Sequence, residues 1–183
     1  MATAVKRDLI KQFATCTESQ LVLGAHADDL ALFYKAEPQR LVGMTNNTDA
    51  CEEAIRNYQL KNTPWMFLPT CPNYTSVASF SDDIPRAWGS ESSARAFLTN
   101  VLASMSLGGV FFGLVPDGNT RRARRGNKIV TPFGVADGQN CYMVFKSSFK
   151  TLAEHVGFVN VTISMVPDTE MFSFSMNRPD FEN

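Results

Sequence analysis

A chain of 183 residues, 44% hydrophobic and 19% charged, has the composition of one ordinary globular domain with a single sizeable core. Its net charge of −1 excludes a uniformly basic nucleic-acid binder, and no apolar run approaches the roughly 20 residues that a membrane helix needs. Four scattered cysteines (Cys16, Cys51, Cys71, Cys141) without a C-x-x-C pair form neither a disulfide framework nor a zinc site, a pattern that suits an intracellular, reducing compartment.

In chain order, Val5, Leu9 and Phe13 recur at four-residue spacing and predict an amphipathic helix over 3–14. Gln20–Ala25 is a continuous apolar run and predicts a strand covered on both faces. A short helix follows from Asp28 to Lys35, and then a second strand over Arg40–Thr45. Thr48 can cap a further helix whose buried stripe is Cys51, Ile55 and Tyr58. Residues 62–74 hold three prolines, with a brief strand at Trp65–Leu68, before a central strand at Thr75–Phe80 and a loop over Ser81–Ser90.

Ala94, Phe97, Leu98, Val101, Leu102 and Met105 then fall at i, i+3, i+4, i+7, i+8 and i+11, the clearest helical face in the chain. Gly108-Gly109 reads as its stop, and Val110–Val115 as a buried strand. After the turn at Pro116–Asn119 come short strands within Lys128–Phe133 and Cys141–Phe145. A helix follows, with face Phe149, Leu152, Ala153 and Val156 and Gly157 past its end. Phe158–Met165 and Met171–Met176 alternate like a terminal hairpin. Strands alternating with helices predict one α/β domain over 1–183: a Rossmann-like sheet with helices on both faces and a C-terminal antiparallel β-hairpin.

Ser90–Asn119 resembles the mRNA cap (guanine-N7) methyltransferases, which carry E-x-x-A-R-x-x-L-x-N followed by L-x-x-G-G-x-F-I-G-T-x-P-D. Glu91, Ala94, Arg95, Leu98, Asn100, Leu107, Gly108, Gly109, Phe111, Gly113, Pro116 and Asp117 fall in step. Looser matches keep the family's order. They are Lys6-x-x-Leu9-Ile10, Leu41-Val42-Gly43 with Ala54-x-x-Asn57-Tyr58, Pro132-Phe133-Gly134, Tyr142–Phe145, Leu152-Ala153 and Gly157-Phe158. The resemblance spans about residues 5–160 and implies the class I S-adenosylmethionine-dependent methyltransferase fold.

The departures bear on catalysis. Where the family has L-D-L-G-C-G-x-G-x-D-L, this chain has Leu23-Gly24-Ala25-His26-Ala27-Asp28-Asp29-Leu30, a residue shorter and with one glycine. Glycines there let the backbone approach the methyl donor. Thr45 stands where an acid would hold the ribose, and no acid in 62–74 matches the one for the adenine. The H-Y pair that helps to hold the cap guanine is missing from Asp82–Trp88, and Cys141 replaces a Glu of the cap pocket. Lys6, Gly24, Ala25 and Thr45 therefore read as vestigial cofactor positions, and Lys6 is the one contact left in place. N7 methylation depends on positioning donor and cap. The resemblance so read implies a non-catalytic, methyltransferase-like subunit of an RNA-processing or ribonucleoprotein assembly, with no cofactor and a protein partner. The alternative is a divergent active cap methyltransferase using S-adenosylmethionine.

Two other motifs carry chemistry. Ala25-His26-Ala27-Asp28-Asp29 is similar to the A-H-P-D-D-E turn of zinc-dependent de-N-acetylases, in which His and the second Asp bind zinc and the first Asp is the base. Ala27 and Leu30 depart from that motif, and the third ligand has no H-x-x-H source, since His155 is the other histidine. In the plainer reading Asp28 caps a helix and His26 is a turn residue. The cluster Arg121, Arg122, Arg124, Arg125 and Lys128 reads either as a solvated loop or as an RNA phosphate contact, since counterion release favours clustered cations. Trp65 and Trp88 read as core residues or, if exposed, as protein contacts.

Overall fold

The computed structural model describes residues 2–14, 19–24, 27–35, 38–45, 61–62, 73–81, 83–120, 125–126, 128–136 and 142–181. The helices are α1 (Ala2–Phe13), α2 (Ala27–Tyr34), α3 (Asp83–Ala87), α4 (Glu91–Ser104) and α5 (Lys146–Val156). Strands β1 (Ser19–Leu23), β2 (Arg40–Thr45), β3 (Lys61–Asn62), β4 (Tyr74–Ser79), β5 (Met105–Pro116), β9 (Val159–Met165) and β10 (Met171–Asn177) form one sheet in the order β3-β2-β1-β4-β5-β10-β9. Strands β6 (Ile129–Val130), β7 (Gly134–Ala136) and β8 (Tyr142–Val144) form a small antiparallel sheet.

Pairing is parallel among β3, β2, β1, β4 and β5, while β10 runs antiparallel between β5 and β9. β1 lies between β2 and β4, so the chain leaves it in opposite directions on its two sides. The carboxyl ends of β1 and β4 consequently flank the switch-point crevice of an open α/β sheet.

Alternation along the strands sorts side chains into two cores. Leu21, Leu23, Val77, Phe111, Val115, Phe172 and Phe174 face α3, α4 and α5, meeting Trp88, Phe97, Leu98, Val101 and Phe149. Val22, Ala78, Phe112 and Leu114 face the other way, onto Leu9 and Ile10 of α1 and Leu30 and Phe33 of α2. Each core holds packed rings: Phe149 lies 4.9 Å from Phe174 on one face, and Phe112 lies 5.5 Å from Phe13 on the other. The expected Rossmann-like layering and terminal hairpin are therefore present.

Three local expectations change. α4 starts where Ser90 accepts a bond from the Ser93 N–H at 3.1 Å. It ends at Ser104, so Met105 opens β5 instead of closing the helical face, and Gly108-Gly109 lie inside that strand. The Ser81–Ser90 loop contains α3, because Pro85 sits in its first turn, where no helical N–H is required. The expected elements at 48–58 and Trp65–Leu68 lie outside the described residues. Trp88 is buried and stacks on Phe149 at 5.2 Å, as a core residue does. Gly157 closes α5 at φ +122°, its N–H reaching the carbonyls of Ala153 and Glu154. Among the described residues, no helix is long and apolar enough to cross a membrane.

Candidate functional site at the carboxyl edge of the sheet

The switch-point crevice begins at Gly24, the residue after β1, whose φ of +55° favours glycine. A methyl group added to Gly24 would collide with Ser81 Oγ and Asp83 Oδ2. Those two groups hydrogen-bond to each other at 2.6 Å, with the Ser81 hydroxyl donating, and Asp83 is buried at 5% exposure. The chain's own side chains, delivered by the β4–α3 connection, thus fill the space on that side of the glycine.

Lys6, on α1, is already engaged. Its Nζ lies 2.7 Å from Asp29 Oδ1 and 5.6 Å from the ring centre of Phe80. Asp29 keeps 5% of its side-chain exposure and Lys6 21%, so this ion pair tying α1 to α2 is mostly withdrawn from water. Thr45 ends β2, but its side chain lies outside the described residues, as do Ala25 and His26. Among the described residues, Gly24 and Lys6, two of the four positions that the resemblance assigns to a cofactor, are thus met by the chain's own side chains.

Farther along the same edge the geometry opens. A cavity of about 920 Å³ lies beyond the ends of β4 and β5, walled by Phe80, Pro85, Pro116, Tyr142, Met143 and Met171 among others. That size lies within the range of small-molecule sites. Asp117, at the end of the block that resembles the cap enzymes, is buried at the cavity wall. Its Oδ1 accepts the Asn119 N–H at 3.0 Å, and its Oδ2 lies 3.3 Å from Lys146 Nζ. The acid therefore fixes the turn and balances one cation. Thr120 and Lys128, on either side of the arginine run in the sequence, both line the cavity. Arg125 is exposed, whereas Arg121, Arg122 and Arg124 lie outside the described residues.

For the zinc motif, Asp28 is exposed at the start of α2 and Asp29 is committed to Lys6. His155 sits in the last turn of α5. Among the described residues no three His, Cys, Asp or Glu side chains gather to hold a metal ion. Sequence reasoning misses Ser81 and Asp83, which fall in the stretch expected to be a loop. The signal was a Ser-x-Asp spacing directly after a buried strand.

No protein-family model matches the chain. Among solved structures, an S-adenosylmethionine-dependent methyltransferase from Archaeoglobus fulgidus superposes with a TM-score of 0.73 at 13% identity, covering 96% of this chain and 92% of that one. One from Clostridium acetobutylicum gives 0.69 at 9%, covering 97% and 90%. The N-methyltransferase NodS from Bradyrhizobium japonicum gives 0.68 at 11%, covering 97% of each chain. At these identities the likeness establishes the fold alone, which is that of the class I S-adenosylmethionine-dependent methyltransferases.

Proposed function

On a methyltransferase fold whose cofactor turn is filled from within, we propose a non-catalytic role. The chain is a cap methyltransferase-like subunit that acts as a structural or stimulatory component of an RNA-processing or ribonucleoprotein complex. The observation that carries this reading is the state of the β1 turn: Ser81 and Asp83 pack on Gly24, and Lys6 is consumed by Asp29. Drawing Lys6 away to a cofactor would strip the buried Asp29 carboxylate of its cation, and unpaired buried charge is costly. Calorimetric titration of S-adenosylmethionine and its demethylated product into the full chain tests the reading. No saturable heat at high micromolar ligand is expected; saturable binding would sink it.

In this role the cluster Arg121, Arg122, Arg124, Arg125 and Lys128 contacts RNA phosphates. It adds five positive charges with no acid between Asp117 and Asp137. Replacing all five by alanine should weaken RNA binding and flatten its salt dependence, because fewer counterions are released. An unchanged affinity would remove the RNA contact and leave a protein partner as the link to the assembly.

The cavity favours a second reading, a divergent cap guanine-N7 methyltransferase that a partner completes. A methyl-acceptor cavity is what an active enzyme retains, and about 920 Å³ is present beyond β4 and β5. Transfer of labelled methyl groups to capped RNA, measured for the chain alone and with its co-purifying partner, separates the two readings.

A further inference from the structure

The last strand of the sheet, β9, is a seven-residue edge protected by neither charge nor proline. Natural edges are kept from pairing by shortness, charge, proline or a β-bulge. The described part of β3, at the opposite edge, has two residues and carries Lys61; β6, the edge of the small sheet, has two residues flanked by Lys128 and Pro132. From Val156 to Val166, by contrast, the chain has neither a charged residue nor a proline. β10 pairs with one side of β9, and the other side has no strand beside it among the described residues.

A β-bulge limits the regular part of this edge. The register to β10 shifts between Ser175 and Asn177, and Asn160 takes a φ of +54°. Val161–Met165 remains regular, and it alternates. Val161 and Ile163 pack partly on the core while Met165, on the same face, stays 45% exposed. Thr162 and Ser164 are exposed on the opposite face.

We propose that β9 is a self-association edge, on which two copies of this chain pair antiparallel about a two-fold axis at Ile163. The segment is self-complementary in polarity about that residue. Val161 falls opposite the partner's Met165, Ile163 opposite its own copy, and Thr162 opposite the partner's Ser164. Apolar side chains meet apolar ones on the helix-covered face, and hydroxyls meet hydroxyls on the other. An isologous contact demands this symmetry, whereas a different partner would not. Charge does not oppose the pairing. The strand is neutral, the chain carries −1 overall, and Lys146, which reaches Met165 Sδ at 3.2 Å, is already paired with Asp117. Backbone hydrogen bonds would then continue the sheet from one copy into the next. The inference does not depend on the proposed function, since a subunit or an active enzyme could use the same edge.

Sedimentation equilibrium of the full chain, from low to high micromolar, tests the proposal. A monomer–dimer equilibrium is expected. Thr162→Lys places a cation on each side of the axis at an exposed position and should weaken dimerisation by at least about tenfold. Thr99→Lys, on the exposed face of α4, adds the same charge elsewhere and should leave the dimer intact. Amides of β9 should exchange more slowly at high than at low concentration in the unmodified chain. A monomer throughout, a dimer indifferent to Thr162→Lys, or equal dissociation by both lysines overturns the assignment.

Discussion

Over β1 the carboxyl edge of the sheet is packed with the protein's own polar groups, and over β4 and β5 the same edge encloses an open cavity. The two halves share strands and cores, so the difference lies in what the connections deliver. Ser81 and Asp83, arriving where β4 passes into α3, turn back onto Gly24, while Pro116 at the end of β5 and Asp117 and Thr120 beyond it stand around free volume that Ser81 also borders. A fold thus offers a crevice at its switch point, and a few loop side chains decide whether that crevice remains one.

Adding a single carbon to the closed half should have the largest effect. Gly24→Ala incurs about 1–2 kcal/mol for the left-handed backbone and about 1–3 kcal/mol for overpacking against Ser81 and Asp83. Urea unfolding should reveal the sum. A loss confined to the backbone part would mean that those side chains swing away and the turn is open. Lys6→Met should come next, at about 2 kcal/mol, because it leaves Asp29 buried without its cation. Combining it with Asp29→Leu should restore most of the loss, and a double-mutant cycle measures the recovery.

The open half should respond weakly to a larger change. Met143→Trp adds a bulky ring to the cavity wall and should shift stability by less than about 1 kcal/mol, since free volume receives it. A loss as large as that of Gly24→Ala would erase the contrast between the halves. The smallest effect belongs to Tyr74, at the amino end of β4. Burial raises its pKa above the ordinary value of 10.0, partly offset by the Arg40 guanidinium nearby. The unfolded chain therefore loses this proton before the folded one, and stability should fall as pH rises from about 10 through the raised value. Tyr74→Phe should flatten that decline and cost little at neutral pH, because the buried hydroxyl finds no hydrogen-bond partner among the described residues. An unchanged alkaline slope would show that another group governs it.

Much of the fold was legible because apolar periodicity is local. β2 spans the expected Arg40–Thr45, and the terminal hairpin lies within a residue of its expected limits. Met105 misled because its spacing continues the α4 face, yet its N–H bonds the Leu102 carbonyl as a cap and the chain then extends. The site was less readable. Lys6 and Asp29 lie 23 positions apart on two helices, and no spacing rule joins them. The cavity draws on at least five segments, and no stretch of sequence announces such a volume. The fate of Gly24 depends on residues that arrive from β4, so the loss of glycines in its own turn pointed to trouble without indicating what fills the gap.

The uneven pairing of β5 has a consequence for insertion and deletion. Met105 pairs with Tyr74 and Val110 with Ser76, so the register shifts between them and that stretch can take up a change in length. From Val110 to Gly113 the pairing with β4 is regular. Strand side chains alternate in direction, so one residue added or removed between Val110 and Phe111 would turn the rest of β5 over. Phe111 and Phe112 would then exchange cores, as would Leu114 and Val115. Length is consequently fixed more strictly in the regular part of this strand than at the surface connections, and residue count there is as much a part of the fold's specification as residue type.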